Sequence, residues 1–215
     1  MSIILTQEWD IIPGREDEYE DFLSEKCMAE WDKLGLESVG GFYVEVGEGP
    51  RIISLKSAES FESLYKVISD KSFLDLIEEL KEYVIHYRSR VLQPTGRVKH
   101  GKYKIQKGVW KYNQYYNLVP GRKKEYADFV INEHLPTMAK IDYMEVTGGW
   151  NSVIGGTRDI IAEFTFKTSV DIGRFLDNED FRKITQKLRQ NYVANYTSRI
   201  MRTTERFEEP RWYRL

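Results

Sequence analysis

The 215 residues contain one cysteine, three histidines and six prolines, and the charge is almost balanced at 32 Lys+Arg against 34 Asp+Glu. A lone Cys27 excludes an internal disulfide and a thiolate zinc site, and it is compatible with a reducing cytosol. A net charge of −2 leaves no concentrated basic face of the kind that grips nucleic acid or an anionic membrane. Long apolar runs are missing as well. The longest stretch without charge, Val146 to Thr157, holds four glycines and is too short and polar to cross a bilayer. Met1 to Glu8 has no basic start and meets acid before a signal-type apolar core is complete, so a cytoplasmic location is expected. His86, His100 and His134 stand far apart, without the His-x-x-x-His or Glu-x-x-His spacing that puts two ligands on one helix face, so no metal site is expected. The pairs Gly40-Gly41, Gly148-Gly149 and Gly155-Gly156 form neither a P-loop nor a dinucleotide fingerprint, and they read as strand or turn glycines. No cofactor is expected.

What is present is a duplication. Pro13-Gly14-Arg15-Glu16-Asp17-Glu18-Tyr19-Glu20-Asp21-Phe22 aligns with Pro120-Gly121-Arg122-Lys123-Lys124-Glu125-Tyr126-Ala127-Asp128-Phe129 at seven identical positions of ten. Tyr83 to Leu92 aligns with Tyr192 to Met201 at five of ten, and Glu37, Gly40, Gly41, Phe42 and Phe73 match Glu145, Gly148, Gly149, Trp150 and Phe181. The spacing drifts only from 107 to 109 residues, so the order is kept from end to end. The expected organisation is a first repeat over 1–95, a polar linker over 96–102, a second repeat over 103–207 and a tail over 208–215.

Each copy reads strand, helix, strand, strand, helix, strand. Ile3 to Ile12 is β-branched and aromatic and stops at Pro13-Gly14. Tyr19, Phe22, Leu23, Cys27, Trp31 and Leu34 make one face of a helix closed by Gly35, and Tyr126, Phe129, Val130, His134, Met138 and Ile141 repeat it. Hairpins follow around Gly47 to Pro50 and around Gly155-Gly156, then a second amphipathic helical region and a last strand. The βαββαβ order is the ferredoxin-like arrangement, an α+β fold with both helices on one face of an antiparallel sheet. The bare face must be covered, and packing the two copies sheet to sheet is the expected solution.

The β1 ending in Pro-Gly, the Tyr-x-x-Phe helix, the Gly-Gly-aromatic second strand and the βαββαβ order together resemble the dimeric α+β barrel superfamily, which includes antibiotic-biosynthesis monooxygenase domains, NIPSNAP-like proteins and EthD-like proteins. The resemblance implies an intramolecular α+β barrel of tandem ferredoxin-like units around a central cavity. Its motifs are structural and carry no activity by themselves.

His134, in Asn132-Glu133-His134-Leu135-Pro136, occupies the place of Cys27, and Pro136 is expected to disturb the helix and turn the imidazole towards the barrel mouth. The His-x-Pro also resembles EthD-like domains. The plain alternative is a buried histidine that satisfies a nearby carbonyl. In the first strand of the second copy Trp110, Tyr112, Gln114 and Tyr116 share one face, and Lys111, Asn113, Tyr115 and Asn117 the other, so polar residues face a buried region. Glu163, inside the apolar run Ile160 to Phe164, would have a raised pKa if buried, which suits a general base. Arg90 and Arg199 hold equivalent places in the last strands, as anion holders or as an ion pair joining the halves. Trp110, Tyr143 and Trp150 are wall residues for an aromatic ligand, or plain core.

These residues fit a cofactor-independent oxygenase or isomerase/lyase acting on a hydrophobic or aromatic small molecule, with His134 or Glu163 taking a proton and Arg199 or Asn113 stabilising the anion. They fit equally a non-catalytic ligand-binding, stress-related or assembly protein, with the aromatic tail Pro210-Arg211-Trp212-Tyr213 docking on a neighbour and a homodimer as one form of assembly. Gly41-Phe42-Tyr43-Val44 resembles an RNA-binding RNP1 strand, but it lies on the second strand and lacks the preceding basic residue. No nucleic acid and no membrane partner is expected.

Overall fold

The computed structural model describes residues 3–98 and 103–204. His100, part of the expected linker and the tail beyond Thr204 lie outside the described residues. The first copy comprises β1 (Ile3–Ile11), α1 (Glu16–Phe22), α2 (Met28–Lys33), β2 (Glu37–Val46), β3 (Ile52–Ala58), α3 (Phe61–Ile68), α4 (Lys71–Leu80) and β4 (Val84–Pro94). The second comprises β5 (Trp110–Leu118), α5 (Lys123–Phe129), α6 (Leu135–Met138), β6 (Glu145–Ile154), β7 (Ile160–Phe166), α7 (Ser169–Asp177), α8 (Glu179–Asn191) and β8 (Val193–Thr203). Local chemistry sets the boundaries. Gly14 and Gly121 take φ of +88° and +82° in the turns that leave the first strand of each copy. Ser60, Asp70, Thr168 and Asn178 each accept a backbone N–H at a helix start.

The expected sheet-to-sheet packing is overturned by the strand pairing. The two four-stranded sheets do not lie face to face; they join edge to edge. β2 pairs with β8 through Phe42↔Thr203, Tyr43↔Arg202 and Val44↔Met201, and β4 pairs with β6 through Leu92↔Ser152, Gln93↔Asn151 and Pro94↔Trp150. The hydrogen-bonded order is β1-β3-β2-β8-β5-β7-β6-β4, and β4 returns to β1. The physical reason is backbone satisfaction: β2 and β4 would each end a lone sheet with unpaired N–H and C=O groups, and the other copy supplies their partners.

The curved sheet has an outer face under the helices and an inner face turned on itself. Outside, Trp9, Tyr19, Phe22, Trp31, Leu76 and Leu80 lead the first cluster, and Tyr112, Phe129, Phe164, Phe175, Phe181 and Leu188 the second. Inside, Ile4, Phe42, Leu55, Leu92, Trp150 and Met201 come from both copies. The chain entering β5 adds to this inner cluster: Tyr103 and Ile105 are buried in it, and the Ile105 N–H donates to the Val39 carbonyl. The implied central cavity is corrected by this filling. The space bounded by Glu8, Arg90, Asn113, Trp150, Ile161 and Glu163 is about 20 Å³, room for a water molecule.

The long first helix of each copy is interrupted by a π-turn, Leu23–Cys27 between α1 and α2 and Val130–His134 between α5 and α6. The effect expected of Pro136 is corrected here. The same π-turn forms in the first copy, which has no proline there, so Pro136 fits a break the fold already makes and does not cause it. Among the described residues no helix is long and apolar enough to cross a membrane.

Candidate functional site

The eight residues singled out in the sequence divide between two regions. Glu163, Arg199, Arg90, Asn113 and Trp150 point into the ring of strands and are buried there. His134, Trp110 and Tyr143 belong to the outer layer of the second copy, where Arg174 lies 4.0 Å over the Tyr143 ring.

Two buried charge clusters occupy the interior. Alternation along β1 turns Thr6 and Glu8 inward. Glu8 pairs with Arg90 of β4 at 2.6 Å and with Arg199 of β8 at 3.2 Å, so one carboxylate binds the two equivalent arginines and ties the copies together. Tyr115, the counterpart of Glu8, lies under both guanidinium groups, 5.9 Å from Arg90 and 4.9 Å from Arg199. The second cluster is confined to the second copy. Lys111 Nζ donates to Glu163 at 2.9 Å, to Thr165 at 2.5 Å and to Thr147 at 3.1 Å, while the Tyr103 hydroxyl donates to Glu163 at 2.8 Å. Gly148 makes room for this packing, since a Cβ there would lie 2.5 Å from Trp150 Nε1 and 2.8 Å from Glu163 Cβ.

The carboxyl group of Glu163 does not titrate as its burial alone suggests. Burial pushes its pKa up, but Lys111 and the hydrogen bonds from Lys111, Thr147 and Tyr103 together hold it below its ordinary value. It is an ionised, fully engaged carboxylate.

His134 faces an apolar surround, with Phe129 at 6.0 Å and Phe164 at 6.3 Å between ring centroids. Burial lowers its pKa to about 4, and Nε2 has no hydrogen-bond partner among the described residues. The space beside it, about 30 Å³, is closed by Thr95, Arg97 and Val98 from the chain that follows β4.

The equivalent space in the first copy is larger, about 200 Å³, and no sequence signal singled it out. Trp9, Tyr19, Leu23, Met28, Trp31 and Ile52 make its apolar wall, and Ser38, Ser54 and Thr204 add hydroxyls. The Trp9 indole donates to the Tyr19 hydroxyl at 3.1 Å, which fixes both rings. The Trp31 indole N–H is buried without a partner among the described residues. Lys56 sits behind this wall, its Nζ 3.4 Å over the Trp31 ring and bonded to Gln7 Oε1 at 2.5 Å and Ser54 Oγ at 2.9 Å. Burial lowers its pKa to about 7 and raises that of neighbouring Cys27 to about 12. The trace that could have marked this site is the pair Trp9 and Trp31, which stand where the second copy has Tyr116 and Met138. Among the described residues no group of three or more His, Cys, Asp or Glu side chains is placed to hold a metal ion.

No family model matches the chain. No curated protein matches it either. Solved structures do. A putative monooxygenase from Lactobacillus acidophilus superposes with a TM-score of 0.63 at 10% identity, covering 94% of this chain and 93% of that one. A putative monooxygenase from Fusobacterium nucleatum gives 0.62 at 12% identity, with 94% and 92% covered. A mutant chlorite dismutase from Candidatus Nitrospira defluvii gives 0.64 at 9% identity, with 96% and 92% covered. At these identities the likeness is one of fold, over nearly the whole chain.

Proposed function

We propose that this protein binds a small aromatic or apolar molecule carrying a hydrogen-bond acceptor, in the cavity between the first helix and the sheet of the first copy. The observation that carries the reading is the cavity of about 200 Å³ with an unpartnered Trp31 N–H in its wall. A buried donor without an acceptor is costly, by about 1–3 kcal/mol, and a ligand oxygen would recover that. An apolar cavity of roughly 150 Å³ is enough to take a benzene ring, so one or two fused rings suit this space. The aromatic wall supplies contact area and the hydroxyls of Ser38, Ser54 and Thr204 orient a polar substituent.

The catalytic reading, an oxygenase or isomerase/lyase with His134 or Glu163 as proton acceptor and Arg199 or Asn113 as anion stabilisers, has weaker support. His134 borders a space of about 30 Å³, and Glu163 and Asn113 border another of about 20 Å³ in a separate region. The likeness to monooxygenase and chlorite dismutase structures is one of fold and assigns none of these residues a role.

The test is a titration with naphthol, followed by calorimetry and by quenching of tryptophan emission. Saturable binding with Kd at or below about 1 mM is expected, and Leu23→Trp, which fills the cavity from its wall, should weaken it at least tenfold. Equal affinity in the wild type and Leu23→Trp, or no binding by either, would refute the reading.

A further inference from the structure

A third space lies over the second copy and shares no lining residue with either outer cavity. It is an open cleft of about 650 Å³ between α8 and the strands β5 and β8. Phe181, Ile184 and Leu188 turn the apolar face of α8 to the sheet. Arg182, Thr185, Gln186 and Arg189, spaced at three and four, set a polar face along the cleft. On the strand side Tyr112 and Tyr196 bring their hydroxyls to 3.1 Å. The charge of Arg182 is matched, by Asp177 at 2.8 Å. That of Arg189 is not: the guanidinium lies 4.9 Å over the Tyr196 ring, with no ion-pair partner among the described residues. One turn before it, the Thr185 hydroxyl oxygen is buried and has no hydrogen-bond partner among the described residues.

The first copy shows what this face looks like when its charge is neutralised. There α4 carries Leu74, Ile77, Glu78, Lys81 and Glu82 at the places of Arg182, Thr185, Gln186, Arg189 and Gln190. The cation over a tyrosine is kept, since Lys81 lies 5.8 Å over Tyr87, the counterpart of Tyr196. Its counter-charge is not kept. Glu78 holds Lys81 at 2.6 Å, and the second copy replaces Glu78 and Glu82 by the amides Gln186 and Gln190. Over these five places two acids and one base give −1 in the first copy, and two arginines give +2 in the second. Leaving a guanidinium unpaired while removing both neighbouring carboxylates suits an anion that arrives from outside.

We propose that this cleft is a second binding site, for an aromatic carboxylate. The carboxylate pairs with the Arg189 guanidinium in bidentate fashion and accepts from the Thr185 hydroxyl, and the ring lies against Tyr112, Tyr196 and Phe181. One unmatched guanidinium answers one negative charge, and the volume falls within the roughly 300–1,000 Å³ of small-molecule sites. The site is independent of the cavity of the first copy, which selects by an apolar wall and a neutral donor.

Calorimetric titration with naphthoate, at low and at high salt, tests this. The wild type should bind saturably with Kd at or below about 1 mM, and more weakly at high salt. Arg189→Gln should weaken binding by about tenfold or more, and so should Gln186→Glu combined with Gln190→Glu, which returns the acids of the first copy and keeps the arginine. All three positions are exposed, so the variants should fold with unchanged Tm. Lys183→Gln removes a positive charge from α8 outside the cleft, where Lys183 pairs with Glu179, and should leave the affinity unchanged. Leu23→Trp should leave it unchanged as well. No saturable binding by the wild type, equal affinity in Arg189→Gln, or an equal loss in Lys183→Gln would overturn the proposal. A loss confined to Leu23→Trp would also overturn it, and would assign naphthoate to the cavity of the first copy. Naphthol binding that fails while naphthoate binding depends on Arg189 would refute the first site and uphold this one.

Discussion

The two copies share a backbone plan and exchange their polar contents. In the outer layer the first copy buries Lys56 and Cys27 beside an open cavity, while the second has Phe164 and His134 at those places and an aromatic cluster in which the Phe175 and Phe181 centroids are 3.9 Å apart. Inside the ring the pattern reverses. The first copy offers Ile4 and Leu55 where the second offers Lys111 and Glu163, and Glu8 of the first stands where the second has Tyr115. The lesson is that a duplicated sheet with two buried faces can place its expensive polar groups on either face. Here the first copy buries its lysine, Lys56, on the outer face and the second buries its lysine, Lys111, on the inner face, while Glu8, Arg90 and Arg199 form a cluster shared by both copies inside the ring.

Substitutions that make one copy imitate the other should break this division in order of the charge they strand. Lys111→Ile, which imports the residue of the first copy, leaves Glu163 ionised and unpaired, and urea unfolding should show a loss of about 3–5 kcal/mol. The pair Lys111→Ile with Glu163→Leu restores the first copy's apolar arrangement and should recover most of that loss. A double variant as unstable as the single would mean that Tyr103, Thr147 and Thr165 depend on the ion pair for their placement.

Lys56 is expected to give the next effect. Its folded pKa is about 7 and its unfolded value 10.5, so between those limits the unfolded chain binds more protons and stability rises with pH. Lys56→Met should abolish that rise and raise stability at pH 7 by up to about 4 kcal/mol. Denaturation midpoints measured from pH 7 to 10.5 check both, and a wild-type curve that is flat over this range would contradict the buried amine.

The acid side tests the second copy. His134 has a folded pKa of about 4 against 6.5 unfolded, so it costs stability as pH falls from 6.5 to 4, by on the order of 3 kcal/mol at the lower end. His134→Cys, the residue of the first copy, should remove this part of the acid sensitivity while leaving the midpoint at pH 8 nearly unchanged.

The repeat, the βαββαβ order and the inward face of β5 were legible because each rests on local signals: a shared Pro-Gly turn, helix stripes and period-two alternation. The edge-to-edge seams were not, and a barrel was implied only by the family resemblance, because β2–β8 and β4–β6 join segments whose side chains carry no mark of their partner; the marks are unpaired backbone groups that every strand edge has. The π-turns left a trace that was readable in principle. Tyr19, Leu23, Cys27 and Trp31 recur every four residues, slower than the 3.6 of a regular helix. The burial of Glu8 and Lys56 left no local trace, because both lie within strands and are covered by neighbours from distant sequence. Arg90 and Arg199 were visible as a symmetric pair, and their shared carboxylate was the missing part.

The seams have a further consequence. Because β2 meets β8 and β4 meets β6 within one chain, each seam forms at an effective concentration set by the connecting chain, on the order of millimolar, and not by the amount of protein in solution. Assembly of the eight strands is therefore insensitive to dilution. The described strands also leave no open edge at which another chain could add a strand.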